Sequence, residues 1–149
     1  MSAGNSLAVV LALSAGLGGS VQAAVMGRLG QRVGIFEALA FSTVVAIVVG
    51  MAALLVVRQS VDGIAAAARQ PVWLWTGGAL SAFIVLAITV GPPRIGVTAT
   101  VGTVIAGNLV MAALIDRFGW LGNERIALHW PRVLGIVLLA AGAALTLRK

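Results

Sequence analysis

The run from Ile95 to Ile115 carries no formal charge, and it constrains this sequence more than any other feature. At about 1.5 Å per residue, a helix over this run crosses the hydrocarbon layer of a bilayer, which is about 30 Å thick. The run is rich in small and hydroxyl side chains, which are typical of helix–helix contacts in membranes, so it predicts a central packing helix. A second interpretation stays open, in which Asn108 and the threonines Thr98, Thr100 and Thr103 also line a solute path, because an amide in hydrocarbon needs a partner.

The composition excludes an ordinary soluble domain. The chain is 60% hydrophobic and 9% charged, with a mean hydropathy of +1.09, values typical of multi-span helical membrane proteins. It has no cysteine, so no disulfide framework is expected, and one histidine with four acidic residues makes a metal site or other cofactor unexpected. The net charge of +6 comes from scattered basic residues, which favours contact with lipid headgroups over nucleic acid.

Five apolar runs predict an all-α integral membrane protein with five transmembrane helices in a single domain, 1–149. The predicted spans are 4–26, 34–57, 72–91, 95–115 and 131–147. The first run could also be a secretory signal, but no basic residue precedes it, which favours a span.

The connections between the runs are short. We expect Arg28 and Arg32 in a basic loop after the first run, and a short surface helix at 61–68, where apolar residues have helical spacing. Pro92 and Pro93 are expected to stop the third run, because proline cannot extend a helix.

The basic residues divide equally between the two faces of a five-span protein. The face of the N-terminus receives Arg58, Arg69, Arg117, Arg125 and Arg132, and the other face receives Arg28, Arg32, Arg94, Arg148 and Lys149. Orientation follows the Lys/Arg imbalance between short loops, and here none exists. Either another feature sets the orientation, or the chain inserts both ways. Dual insertion predicts an antiparallel homodimer with the inverted symmetry that many secondary transporters use.

Four polar residues lie at complementary depths in the predicted spans. Gln22 and Glu37 fall about 10 and 13 Å from the bilayer centre toward the second face, while Asn108 and Asp116 fall about 5 and 16 Å toward the first. In an antiparallel pair, Asn108 and Asp116 of one subunit would share a layer with Gln22 and Glu37 of the other. Two polar clusters are predicted, each built from both subunits.

A series of short motifs resembles the YdcZ-like family, a group of five-span proteins in the drug/metabolite transporter (DMT) superfamily. The resemblance covers nearly the whole chain and rests on Ala15-Gly16 with Gln22 and Leu29-Gly30, Ala40-Phe41, Trp73-Leu74-Trp75 with Gly77-Gly78, Ala106-Gly107-Asn108, Asp116-Arg117-Phe118-Gly119 and Leu134-Gly135. It implies a small multi-pass transporter of the bacterial inner membrane, whose members occur as antiparallel homodimers, oppositely oriented pairs or fused ten-span forms. Two positions depart from the family pattern: Met26 stands where Asn is common, and Asn108 where Gln is more frequent.

No catalytic set can be assembled from one histidine and scattered serines, and no phosphate-binding glycine loop is present, so an enzyme is not expected. The chemistry instead favours secondary transport of small organic solutes across a lipid membrane. The candidate substrate-binding residues are Gln22, Asn108, Thr100 and Thr103, whose amides and hydroxyls suit neutral or zwitterionic solutes.

Proton coupling would need a membrane carboxylate, and Glu37 and Asp116 are the candidates. Their alternative roles are a headgroup-level Glu37 paired with Arg28 or Arg32, and a helix-end Asp116 beside Arg117. A passive pore, or a non-transporting scaffold or accessory subunit, are the alternative functions.

Overall fold

The computed structural model describes residues 3–147, and these residues form helices and no strand. The α-helices are α1 (Ala3–Val33), α2 (Ile35–Arg58), α3 (Asp62–Ala68), α4 (Thr76–Ile95), α5 (Val97–Phe118) and α6 (Trp130–Thr146). Short 3₁₀ turns cover Val72–Trp75, which leads into α4, and Trp120–Gly122, which follows α5. The all-α prediction is therefore confirmed, and α3 forms where helical spacing predicted a short connecting helix.

Four helical segments are long and apolar enough to cross a membrane, namely Asn5–Val33, Ile35–Arg58, Val72–Ile95 and Val97–Phe118. Helix α6 is apolar but has only 17 residues, which gives it a length of about 26 Å. That length lies at the lower limit for a spanning helix. The five-span count and the single five-span domain therefore stay predictions.

The described residues form two compact units, one of residues 25–90 and one of residues 3–24 with 91–147. The buried side chains are mostly small, such as Ala23, Ala38, Ala99 and Ala143, while most leucines, valines and isoleucines are exposed. This pattern is expected when helices approach each other through small residues and direct their large apolar side chains toward lipid.

A single glycine joins α1 to α2. Gly34 has φ 108° and ψ 153°, a conformation that residues with a Cβ adopt only with strain, and it is the only residue between the two helices. The expectation of a basic loop here is wrong, because Arg28 and Arg32 lie on the last turns of α1. The helix can continue to Val33 because Gly34 alone accommodates the change of backbone direction.

A second glycine joins α4 to α5 in the same way. Gly96 has φ 86° and ψ 159°. The expectation that Pro92 and Pro93 stop the helix is wrong, because α4 continues through both to Ile95. Proline lacks the N–H of a helical hydrogen bond, but its fixed φ of about −65° is helical. The helix therefore ends only at the glycine with positive φ.

The two joints share a local sequence pattern, in which arginine, an aliphatic residue, glycine and an aliphatic residue follow one another, and they have the same hydrogen bonds. Each glycine occupies the third position of a four-residue motif. The two motifs are Arg32-Val33-Gly34-Ile35 and Arg94-Ile95-Gly96-Val97. The glycine N–H bonds four residues back, to the carbonyls of Gly30 and Pro92 respectively, at 3.1 and 3.0 Å. The glycine carbonyl in turn accepts from the amide four residues ahead, at 3.1 Å in both joints. The chain thus contains a repeated helix–glycine–helix unit.

Candidate functional site

Helix α5 is the element on which most of the predicted site residues lie, and one of its faces packs closely on α6. A Cβ added to Gly102 would lie 3.6 Å from the Cα of Ala143 and 3.6 Å from the hydroxyl oxygen of Thr146, both on α6. The two backbones approach closely because glycine and alanine meet at the contact. This face of α5 is therefore occupied by α6.

The two predicted threonines differ in their surroundings. Thr100 is 4% exposed, its side chain lies against Gly91, and its hydroxyl donates to the carbonyl of Gly96 at 2.7 Å. Thr103 is exposed, and its hydroxyl donates to the carbonyl of Ala99 at 2.8 Å. Each hydroxyl donates its hydrogen bond within the helix, as is usual for threonine in helices. Because Thr103 is exposed and Thr100 is buried, only Thr103 presents the lone pairs of its oxygen at the surface.

The two predicted amides are exposed and have no hydrogen-bond partner within residues 3–147. Asn108 lies at the middle of α5, and Gln22 lies on the second half of α1. Both helices are apolar enough to cross a membrane. An unsatisfied amide in hydrocarbon costs several kcal/mol on the order-of-magnitude scale for such groups. Each amide therefore requires a partner from outside the chain, which is the main physical feature of this surface.

An open groove of about 320 Å³ lies beside α5 in the unit that contains α5 and α6. It is lined by Ser20 from α1 and by Val97, Thr98, Val101, Gly102 and Ile105 from α5. Asn108 lies three residues after Ile105, so it continues the same face of α5 by one turn. Gln22 lies two residues after Ser20, so its side chain projects from the opposite face of α1 and does not line this groove.

Thr98 was among the threonines expected to line a solute path, but it was not among the candidate substrate-binding residues. It is exposed, and its hydroxyl has no hydrogen-bond partner within residues 3–147. The signal that could have identified it is its spacing, because Thr98, Val101, Ile105 and Asn108 recur every three or four residues along one helical face. The hydroxyl of Ser20, by contrast, donates to the carbonyl of Gly16 at 3.2 Å.

Glu37 lies in the first turn of α2, and its carboxylate folds back against Gly34. It occupies the third position of the helix, from which a glutamate typically reaches the preceding cap residue, and a negative charge there is favoured by the helix dipole. The side chain is exposed, and within the described residues no ion pair joins it to Arg28 or Arg32. The predicted alternative of a pair with these arginines is therefore not found.

Asp116 forms an ion pair with α6. Its Oδ2 lies 2.9 Å from Nη2 of Arg132, with side chains 26% and 47% exposed. The predicted neighbour Arg117 is adjacent in sequence, and consecutive residues of a helix point in different directions. Asp116 thus joins the C-terminal end of α5 to the start of α6, and its backbone carbonyl also accepts from the amide of Ile126 at 2.8 Å.

Helices of membrane-spanning length that carry exposed, unpartnered amides define a multi-pass α-helical membrane protein. The chain belongs to the family described as "Putative inner membrane exporter, YdcZ", which matches residues 7–145. It is also 30% identical over 147 residues to "Inner membrane protein YdcZ" of Escherichia coli (strain K12), and the match covers 97% of each chain. No solved structure matches the chain.

These comparisons confirm the resemblance and set the protein class. The chain is a multi-pass inner-membrane protein of an exporter family, and this is not a family of enzymes. A transport protein of this kind handles small molecules and contacts lipid.

Proposed function

We propose that the chain is a secondary active transporter of small organic solutes, built as an antiparallel homodimer and coupled to protons. Access alternates as the two inverted subunits rock about a shared central site. The observation that carries the proposal is the pair of exposed amides, Gln22 and Asn108, which lack hydrogen-bond partners in apolar helices. A second subunit and a bound solute supply what these groups need.

The antiparallel arrangement is supported by charge and by depth. The Lys/Arg residues divide equally between the two faces, so insertion in both directions is allowed. In an antiparallel pair, Asn108 of one subunit enters the layer of the partner subunit's Gln22. Each amide then has a donor and an acceptor within reach, which offsets the cost of placing it in hydrocarbon.

The chemistry of the surface favours a neutral or zwitterionic solute. The exposed parts of α5 present one amide and two hydroxyl groups, from Asn108, Thr103 and Thr98. Thr100 is buried, and its hydroxyl bonds within the helix. No carboxylate lies at the middle of a predicted span. A site made of amides and hydroxyls orients a solute through hydrogen bonds, while apolar neighbours exclude water.

Glu37 is the better candidate for proton coupling. Asp116 is already held in an ion pair with Arg132. Glu37 has no ion pair in the described part of the chain and is exposed beside Gly34. Coupling requires a carboxylate that is not held in a fixed ion pair, and Glu37 meets that condition.

The test is flux in proteoliposomes with a broad panel of neutral and zwitterionic solutes. Saturable uptake that responds to a pH gradient supports the proposal. Asn108→Ala is expected to raise KM about tenfold, the effect of losing one hydrogen bond to the solute. Asn123→Ala is the control, because this residue has the same side chain in the loop before α6. Glu37→Gln is expected to keep uptake but to abolish its pH dependence.

The same experiment separates the alternative functions. Flux that rises linearly with concentration identifies a passive pore, and no flux for any solute identifies a scaffold or accessory subunit. If Asn108→Ala and Asn123→Ala leave KM equally unchanged, the amide of Asn108 does not touch the solute. If Glu37→Gln keeps the pH dependence, another group carries the proton.

A further inference from the structure

Two arginines share a pocket at the end of α5. The pocket has a volume of about 460 Å³ and is lined by Arg117, Phe118, Arg125, Ile126 and Ala127. All five residues belong to the compact unit that contains α5 and α6. Nothing in the proposed transport mechanism uses this pocket.

The loop after α5 is folded so that Arg125 returns to the end of that helix. Gly119 ends α5 with φ 65°, and Leu121 and Gly122 also have positive φ, which turns the chain back. The amide of Ile126 then bonds the carbonyl of Asp116 at 2.8 Å. A Cβ at Gly119 would lie 2.7 Å from Cγ of Arg125, so the arginine stem lies directly over this glycine. The pocket is therefore built by the fold of the loop.

The positive charge of the pocket is not neutralised within the described residues. Asp116, the acid nearest to Arg117, is paired with Arg132 on α6. Glu124 precedes Arg125 in the chain and is exposed, but it forms no ion pair with either pocket arginine. At the helix end, the carbonyls of Ile115 and Asp116 accept hydrogen bonds from the amides of Gly119 and Ile126.

Aromatic rings beside the pocket favour a position at the membrane surface. Phe118 and Trp120 stack with their ring centroids 5.2 Å apart and their planes at 18°, and both are about half exposed. Aromatic rings concentrate in the headgroup layer, and α5 is a helix of membrane-spanning length. Guanidinium groups bind phosphate oxygens through two parallel hydrogen bonds.

We propose that this pocket binds the phosphate of an anionic phospholipid headgroup. Arg117 and Arg125 contact the phosphate, while Phe118 and Trp120 lie along the glycerol and upper acyl chains. A soluble phosphate has the same charge but gains nothing from the aromatic rings and the membrane. The pocket is therefore a lipid site rather than a site for a transported anion.

Native mass spectrometry of the purified chain tests the proposal, with phosphatidylglycerol and phosphatidylcholine added in detergent. The wild-type protein is expected to retain phosphatidylglycerol in preference. The double variant Arg117→Gln/Arg125→Gln is expected to bind it at least about tenfold more weakly, since each basic group near a headgroup contributes measurably. The matched control is Arg58→Gln/Arg69→Gln, which removes two exposed arginines from outside the pocket and is expected to bind as wild type.

Three results would overturn the proposal. The first is equal retention of the two lipids by wild-type protein, and the second is equal loss of affinity in both double variants. The third is full competition by glycerol phosphate or inorganic phosphate at the lipid's own concentration, which would identify a soluble anion as the ligand. The variant Arg117→Lys/Arg125→Lys keeps the charge and is expected to bind with intermediate affinity. This second variant keeps the test decisive if the glutamine variant does not fold.

Discussion

Contacts between a glycine and a threonine show how closely the helices of this protein approach. A Cβ built on Gly30 of α1 would lie 2.7 Å from Cγ2 of Thr89, a buried residue of α4. Thr89 keeps its hydroxyl bonded to the carbonyl of Val85 at 2.7 Å. The methyl group of the threonine fills the space that the missing side chain leaves, which is the contact that small residues allow in membranes.

Gly30→Ala is expected to destabilise the fold by about 1–3 kcal/mol, because the added methyl group overpacks this contact. Thr89→Ser in the same background removes Cγ2, keeps the hydroxyl bond to Val85, and is expected to restore most of the loss. Thermal unfolding in detergent measures both variants. Gly50→Ala on α2 is the control, since a Cβ there meets no atom within 4 Å. A Gly30→Ala protein as stable as the Gly50→Ala protein would disprove the close contact.

The sequence did not predict which side chains of the candidate site are packed and which are exposed, because it does not specify the rotation of each helix. The apolar runs predicted which residues lie in helices, and Asn108 and Gln22 stood out as amides within them. Helix rotation decides which of these groups is packed, and packing placed Thr100 against Gly91 while leaving Thr98 exposed. Rotation depends on contacts between helices that are distant in sequence, so it could not be read from spacing within one run.

The two helix–glycine–helix joints have matching backbones but different surroundings. At Gly34 the carboxylate of Glu37 occupies the space that a Cβ would need, whereas at Gly96 no atom lies within 4 Å of that position. A Cβ at Gly34 would therefore have to displace the carboxylate end of an exposed, flexible side chain, which adds little to the backbone strain. The joint at Gly96 has the backbone strain alone.

Gly96→Ala is expected to cost about 1–3 kcal/mol through its positive φ, and Gly34→Ala is expected to cost only slightly more, because the flexible Glu37 side chain must also move. The difference should shrink when Glu37→Ala is added to Gly34→Ala, because the carboxylate is then gone. Thermal unfolding of the four proteins measures the order. Equal melting temperatures for Gly34→Ala and Gly96→Ala would show that Glu37 does not contact the first joint.

Helix ends also show where the sequence rules fail. Pro92 and Pro93 were expected to end a helix, yet α4 continues to Ile95 and stops before Gly96, because the sign of φ decides whether the helical path can continue. The same rule applies to Gly34, which replaces the expected loop. The repeated motif of arginine, aliphatic residue, glycine and aliphatic residue is present in the sequence at both joints.

The orientation of the whole chain depends on a small number of charges. Its ten basic residues divide equally between the predicted faces, and α6 is at the lower limit of spanning length. Two questions therefore belong together: whether the chain inserts both ways, and whether α6 crosses the membrane. The absence of cysteine makes both accessible, because a single introduced thiol reports its own position without background.

Glu124→Cys, in the loop before α6, is expected to react with a membrane-impermeant maleimide in about half of the molecules, as dual insertion requires. Complete labelling or complete protection would show a single orientation and remove the antiparallel dimer from the mechanism. Adding Arg28→Gln/Arg32→Gln leaves the N-terminal face with the larger positive charge, so that face should become cytoplasmic and Glu124→Cys should become protected.

In that same biased background, Leu147→Cys tests α6, since Leu147 directly follows the helix. If α6 crosses the membrane, Leu147→Cys lies on the face opposite to Glu124→Cys and should react fully while Glu124→Cys is protected. If α6 lies on one surface, both positions should be protected together. A spanning α6 places five segments in the bilayer, and the ion pair between Asp116 and Arg132 then lies where α5 ends and α6 begins, at one membrane surface.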